Sequence, residues 1–222
     1  MNSILYIVSV PIGNNKDISM NAIEKLAMAD LIIGEEHKET SKLLRLNGLE
    51  KPFELLNEHS THEDIDELVK KILESRISCL VSDSGTPSIE DPGEALINIC
   101  LRKGVELKII PGATALASAL SLSGFKVSPF TFVGFLDRDE KRRREELIKY
   151  FSYKHTLVFY ETPYRYKKVI QEMAKISKRD YRIFLGLNLT ADDEIQVRGT
   201  LKEVANKMEN LPKAPPVIVV EI

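Results

Sequence analysis

The sequence predicts an α/β protein made of two successive α/β units, and three observations predict it. Short apolar runs alternate with stretches of helical spacing through the first half of the chain. That β-α-β-α order makes a mostly parallel sheet with helices on both faces. Next, Val81-Ser82-Asp83-Ser84-Gly85-Thr86-Pro87-Ser88-Ile89-Glu90-Asp91-Pro92-Gly93 joins an apolar run to a helix through small, kinked residues. Such a loop at the carboxyl end of a strand is where an open α/β sheet holds its ligand. Finally, the alternation resumes after Gly124 with no repeat, low-complexity tract or long linker. The domains are therefore read as 1–122 and 123–222, packed closely.

The elements follow in order. Ser3 to Val10 reads as a strand, broken by Pro11 and Gly13. Ser19 to Asp30 has helical spacing, with Met20, Ile23, Leu26 and Ala27 on one face. Leu31 to Gly34 is a short buried strand and Glu39 to Leu46 a helix. Thr61 with Asp64 forms a capping box for a helix whose apolar face is Ile65, Leu68, Val69 and Ile72. Arg76 to Val81 is a strand. Asp91-Pro92 then reads as an N-cap followed by proline at the first helical position, opening a helix to Lys103. Val105 to Ile110 is a strand and Thr114 to Leu122 a helix of small residues. In the second unit Pro129 to Phe135, His155 to Tyr160, Tyr181 to Leu187, Glu194 to Val197 and Pro216 to Ile222 read as strands. Arg138 to Tyr150 is a charged helix. Thr162-Pro163 caps one running to about Ile176, and Thr200 with Glu203 opens a short one through a second capping box.

Composition narrows the function. The chain of 222 residues, 43% hydrophobic and 29% charged, is that of an ordinary globular protein. A net charge of −2 argues against nucleic-acid binding by bulk charge and leaves room for a local basic patch. Met1 to Tyr6 lacks the basic region and cleavage site of a secretory leader, and no apolar run approaches the roughly 20 residues of a membrane span. Cys79 and Cys100 stand in apolar stretches with neither zinc spacing nor a disulfide framework, so a reducing cytoplasm is expected and no metal.

The chemistry-bearing residues cluster after strands. Ser84, Gly85 and Thr86 let backbone and hydroxyl groups approach a charged ligand without bulky side chains in the way. Asp83 either accepts from a ligand ammonium or fixes the turn. Gly34-Glu35-Glu36-His37-Lys38 and Asn57-Glu58-His59-Ser60 both follow short strands and offer bases, with Glu36 and His59 the candidates. His59 and His62 with Glu58 lack a further metal ligand. Lys141-Arg142-Arg143-Arg144-Glu145-Glu146 is the one dense basic run. It reads either as a contact to RNA phosphates or as a solvated helix face with Lys141 paired to Glu145.

Several of these segments, in this order, resemble the tetrapyrrole methylase family. They are Tyr6-Ile7-Val8-Ser9-Val10-Pro11-Ile12-Gly13-Asn14, the Val81–Gly93 loop and Ile110-Pro111-Gly112-Ala113-Thr114-Ala115. Gly134-Phe135-Leu136, Phe159-Tyr160-Glu161-Thr162-Pro163-Tyr164-Arg165 and Leu189-Thr190 follow. The nearest branch is that of the bacterial 16S rRNA cytidine 2′-O-methyltransferases. The resemblance implies two α/β domains with an S-adenosylmethionine cleft between them, a homodimer and methyl transfer to RNA of the small ribosomal subunit. It further implies cofactor contacts from Pro11, Asp83, Ser84, Gly85, Thr86, Ile89, Thr114, Ala115, Glu161, Asn188 and Pro215. The Gly-x-Gly loop of the common methyltransferase sheet is not expected in this family, and Val10-Pro11-Ile12-Gly13-Asn14 stands in its place.

The chain departs from the rRNA branch in places. Lys38 stands for an arginine, Asn57 for a histidine, and Asn188-Leu189-Thr190-Ala191 for Glu-Leu-Thr-Lys. A methylase of a tetrapyrrole or other small molecule, and a cofactor-binding protein without catalysis, are the rival readings.

Overall fold

The computed structural model describes residues 3–222. Met1 and Asn2, in the stretch read as lacking a leader's features, lie outside them. The chain divides into two compact units, 1–114 and 115–222.

In the first unit five strands form one sheet in the order β3-β2-β4-β1-β5. They are β1 (Ile4–Val8), β2 (Leu31–Gly34), β3 (Glu54–Leu55), β4 (Ile77–Leu80) and β5 (Glu106–Ile110), and every pairing is parallel. The helices are α1 (Met20–Met28), α2 (His37–Leu46), α3 (His62–Glu74) and α4 (Glu94–Arg102). Alternation along the strands sorts the side chains to two faces. Leu5, Ile33 and Leu80 pack with Leu68 and Ile72 of α3 and Leu96 and Cys100 of α4. Val8, Ile32 and Cys79 pack with Ala22 and Leu26 of α1 and Leu44 of α2. Burial on both faces is why these strands read as continuous apolar runs.

In the second unit the order is β6-β7-β10-β8-β9. The strands are β6 (Phe130–Phe135), β7 (Thr156–Tyr160), β8 (Arg182–Leu187), β9 (Ile195–Thr200) and β10 (Pro216–Glu221). Here only β6 and β7 run parallel; the other neighbours are antiparallel. One face buries Leu157, Phe159, Ile183, Leu185, Ile218 and Val220 under three helices. These are α6 (Glu140–Tyr150), α7 (Tyr166–Ile176) and α8 (Leu201–Lys207). The helix α5 (Ala115–Ser123), which the sequence reading ends the first domain with, packs on β8 and β10.

Both capping boxes form as read, at Thr61 with Asp64 and at Thr200 with Glu203. Four local readings are corrected. The N-cap of α4 is Gly93, at φ +152°, not Asp91, because the first helical bond runs from the Ile97 amide to the Gly93 carbonyl at 2.9 Å. α7 begins at Tyr166, after a turn in which the Thr162 carbonyl accepts from the Arg165 and Tyr166 amides. On α1, Met20 is 81% exposed and Ala27 also faces solvent. The buried stripe there is Ala22, Leu26 and Ala29, spaced four and three residues apart. Lastly, β1 ends at Val8, since the Val10 amide leaves the ladder for the Gly85 carbonyl at 2.8 Å.

Candidate active site

In the first unit the candidate residues gather at the carboxyl ends of three adjacent strands, β4, β1 and β5. The loop after β4 turns back over β1. The Gly85 carbonyl accepts from Val10 N–H at 2.8 Å, beside Pro11. Thr86 Oγ1 lies 2.9 Å from Ser9 Oγ. Gly85 is buried at φ +83°, where a side chain is strained. A Cβ on it would meet Ile12 Cγ2 at 3.4 Å and the Ala113 carbonyl at 3.8 Å. Gly112, after β5, is needed for close approach, because a Cβ there would stand 2.9 Å from Ser9 Cβ. Pro11, Gly85, Thr86 and the start of the Ala113-Thr114 segment therefore share one corner. Ser84 and Ile89 are exposed on the loop.

This corner suits a small zwitterion. Among the described residues the Gly85 N–H meets no acceptor. Donors and acceptors at a backbone without side chains match the ammonium and carboxylate of an amino-acid group such as S-adenosylmethionine carries. No three His, Cys, Asp or Glu side chains among the described residues are arranged to hold a metal ion.

A chain of acidic groups adjoins the loop. Asp83 N–H donates to Glu35 Oε2 at 3.1 Å, and Glu36 N–H donates to Asp83 Oδ1 at 3.1 Å. Of the Glu35–Glu36 pair it is Glu35 that turns inward; Glu36 caps α2 by its backbone and is exposed. Burial pushes the Glu35 carboxyl above the usual range, while its bond from Asp83 N–H holds it down. Burial likewise raises Asp83. Asp91 moves furthest: burial, helped by the Glu35 charge, pushes it up to about 7. Sequence reasoning missed this group, having assigned it to a helix cap. The one available signal was a second aspartate eight residues after Asp83 in a loop already marked as a ligand site.

A stability prediction follows. Between about pH 4 and pH 7 the unfolded chain releases a proton that native Asp91 keeps. Asp91 therefore contributes stability that is full below pH 4 and lost as pH rises to about 7. Its share of the slope is at most about 1.4 kcal/mol per pH unit, and solvent reaching a half-buried group reduces it. Asp91→Asn is expected to match the natural chain at pH 4 and to exceed it in stability at pH 8, measured by urea unfolding.

His59 lies apart from this corner, in the turn after the edge strand β3. It is exposed, 3.7 Å from Glu58, and lines a cavity of about 300 Å³ with Glu54, Asn57, Asp64, Glu67 and Lys71. No hydrogen bond or ion pair among the described residues joins it to Glu35, Asp83 or Asp91.

The second unit gathers its candidates at the carboxyl ends of β7 and β8. The Tyr160 hydroxyl accepts from Leu116 N–H at 2.9 Å, tying the start of α5, with Ala115, to the end of β7. Glu161 is buried, with both oxygens engaged by Arg165 at 2.9 and 2.8 Å, and it also accepts from Thr162 N–H at 2.6 Å. Its carboxylate shapes the turn. Asn188 N–H donates to the Pro215 carbonyl at 3.0 Å, bringing those two candidates together. Its side chain donates to Asp193 at 2.7 Å, and its φ is +49°.

The basic run is not one surface. Arg143 is 3% exposed and grips Glu172 through Nε at 2.7 Å and Nη2 at 2.9 Å. Lys141, Arg142 and Arg144 are exposed, and the expected Lys141–Glu145 pair is not formed among the described residues.

A family model described as Tetrapyrrole (Corrin/Porphyrin) Methylases matches residues 4–205. The chain is 47% identical over 219 residues to the ribosomal RNA small subunit methyltransferase I of Leptospira borgpetersenii serovar Hardjo-bovis, covering 97% of this chain and 87% of that one. A protein of the same name from Thermotoga maritima is 36% identical, covering 92% of this chain and 91% of its own. Among solved structures, a diphthine synthase superposes with a TM-score of 0.75 at 17% identity, covering 98% of this chain and 89% of that one. A cobalt precorrin-4 methyltransferase does so with a TM-score of 0.68 at 20% identity, covering 98% and 94%. At those identities the structures speak to fold alone.

Proposed function

This chain belongs to the tetrapyrrole methylase family and is an S-adenosylmethionine-dependent methyltransferase; we propose that it methylates a ribose 2′-hydroxyl of 16S ribosomal RNA, as a cytoplasmic homodimer. The observation that carries the acceptor is the identity of 47% across 97% of the chain to a relative named for small-subunit ribosomal RNA. The ribose hydroxyl rests on the motif resemblance.

The cofactor, when bound, supplies a methyl group on a sulfonium whose leaving group is neutral. Catalysis is then mainly placement and exclusion of water. In our reading Ser84, Gly85 and Thr86 hold the amino-acid end, flanked by Pro11, Ile89 and Thr114. The resemblance also gives cofactor contacts to Ala115, Asn188 and Pro215, and Glu161 acts through the turn it holds with Arg165. A hydroxyl acceptor must lose its proton. Glu36 and His59 are the sequence candidates for the base.

The test is labelled S-adenosylmethionine with 30S subunits from a strain lacking the gene. Methyl incorporation into the 16S RNA ribose is the expected result; labelling of small tetrapyrroles without RNA would replace the acceptor, and no labelling of either would leave a binding protein. In the same assay Arg142→Glu with Arg144→Glu, sparing the buried Arg143, is expected to weaken subunit binding severalfold and to flatten its salt dependence, since each lost phosphate contact removes counterion release. An unaltered salt slope would leave α6 a solvated face. Light scattering at micromolar concentration is expected to give a dimer mass; a monomer would end that part of the proposal.

A further inference from the structure

The turn after β7 exposes an aromatic ring on a rigid base. Tyr164 is 81% exposed, against 44% for Phe135 and 41% for Phe130. A lone exposed tyrosine means little. This one is held in a way that a solvated side chain does not need.

Its backbone is pinned from three sides. Upstream, buried Glu161 is clamped by Arg165, which also donates to the Leu136 carbonyl at 2.7 Å and so ties the turn to the end of β6. Downstream, the buried Tyr166 donates its hydroxyl to the Pro212 carbonyl at 2.6 Å. Lys167 Nζ donates to the Leu211 carbonyl at 2.5 Å. These last two bonds fasten the turn to the 211–215 segment, which brings Lys213 over Tyr164. The Lys213 ammonium stands 5.3 Å from the ring centroid and has no carboxylate partner among the described residues. The same end of the sheet carries Phe135, in register with Tyr160. An exposed ring on a pinned turn, with an ammonium at its face that no carboxylate among the described residues holds, suits a base and its phosphate.

We propose that Tyr164 and Lys213 form a stacking platform for an unpaired base of the RNA acceptor. The ring takes the base and the ammonium takes the adjoining phosphate. The assignment rests on the RNA reading above and names a positioning element that reading does not contain. Its place beside Glu161, on the edge that also holds Asn188 and Pro215, puts an acceptor base next to the candidate cofactor residues of this unit.

The sequence contains no tryptophan, so Tyr164→Trp makes a single-tryptophan protein whose indole is excited selectively over the tyrosines. Its emission is expected to be quenched on titration with unmethylated 16S rRNA transcript, and the quenching to reverse with salt. Tyr164→Ala is expected to bind the transcript about tenfold more weakly, within the range seen for loss of one stacked base. The KM for 30S subunits should rise more than kcat falls, with calorimetric affinity for S-adenosylmethionine unchanged. Tyr164→Phe should restore binding. Lys213→Ala should reduce the salt slope by about 0.7, one single-strand phosphate contact.

Unquenched emission with RNA bound, or equal KM in Tyr164→Ala, overturns the platform while wild-type methylation of 30S subunits leaves the acceptor reading standing. Emission that shifts with protein concentration alone would assign the ring to a contact between copies of the chain and also overturn it. Failure of the wild type to bind or methylate RNA overturns both readings together.

Discussion

Gly85→Val is expected to bind S-adenosylmethionine roughly a hundredfold more weakly than the natural chain, a loss of about 2.7 kcal/mol. Two causes act together. At φ +83° any side chain is strained, and a β-branched one most of all, at about 1–3 kcal/mol. A new Cβ also comes into van der Waals contact with Ile12 Cγ2 at 3.4 Å and the Ala113 carbonyl at 3.8 Å. The larger valine side chain adds contact with Ile12 and the Ala113 carbonyl to the backbone strain, and both act to lift the loop. Lifting it breaks the Val10–Gly85 hydrogen bond of 2.8 Å and the Ser9–Thr86 contact of 2.9 Å, the two ties that aim the loop. The sheet beneath is held by its own ladder, so the variant should fold, with a stability loss within the usual 5–15 kcal/mol total. Gly85→Ala should fall between the two. Calorimetry and thermal unfolding on the same samples decide it: unchanged affinity in a folded Gly85→Val protein removes the cofactor from this loop.

The second large effect is on stability. Arg143→Ala is expected to cost about 3 kcal/mol, the lower end for breaking a buried ion pair by removing one partner. The guanidinium makes two bonds to Glu172, at 2.7 and 2.9 Å. It makes two more to the carbonyls of Asp137 and Arg138, at 3.2 and 2.9 Å. Without it the Glu172 carboxylate, 16% exposed, keeps only Lys168 at 3.8 Å. The turn that leads into α6 also loses its anchor. For a chain of this length the melting temperature should drop by about 6–12 °C. Arg142→Ala, at a side chain 75% exposed and 3.8 Å from Asp137, should stay within about 0.5 kcal/mol. Equal melting temperatures for the two variants would show that the Arg143–Glu172 pair carries no net stability.

These two positions also mark how far the sequence could be read. In the sequence Arg142, Arg143 and Arg144 are three like neighbours, and nothing local separates the buried one from the exposed pair. The separation comes from Glu172 on α7, 29 residues away. The Glu35–Glu36 pair behaves the same way. Which carboxylate turns inward is decided by the Asp83 amide on another strand's loop. Asp91 followed by proline satisfies every local rule for a helix N-cap, yet α4 took Gly93 instead and the Asp91 carboxyl is half-buried with the Glu35 charge beside it. Burial, not the tripeptide, sets its titration at about 7.

What the residues determined by themselves was local or periodic. The two capping boxes, the apolar stripe of α3 and the strand β2 stand as read, because each depends on contacts within a few residues or on which faces are wet. The Gly85 turn was legible for the same reason, since only glycine occupies such a φ without strain. The family and its cofactor were legible because several such segments occur in a fixed order. Tertiary structure alone decided the strand order β3-β2-β4-β1-β5, the antiparallel pairs of the second sheet, the transfer of α5 to that sheet and the partners of each buried charge. Those outcomes depend on groups tens of residues apart, whose pairing energy exists only once the chain has brought them together out of water.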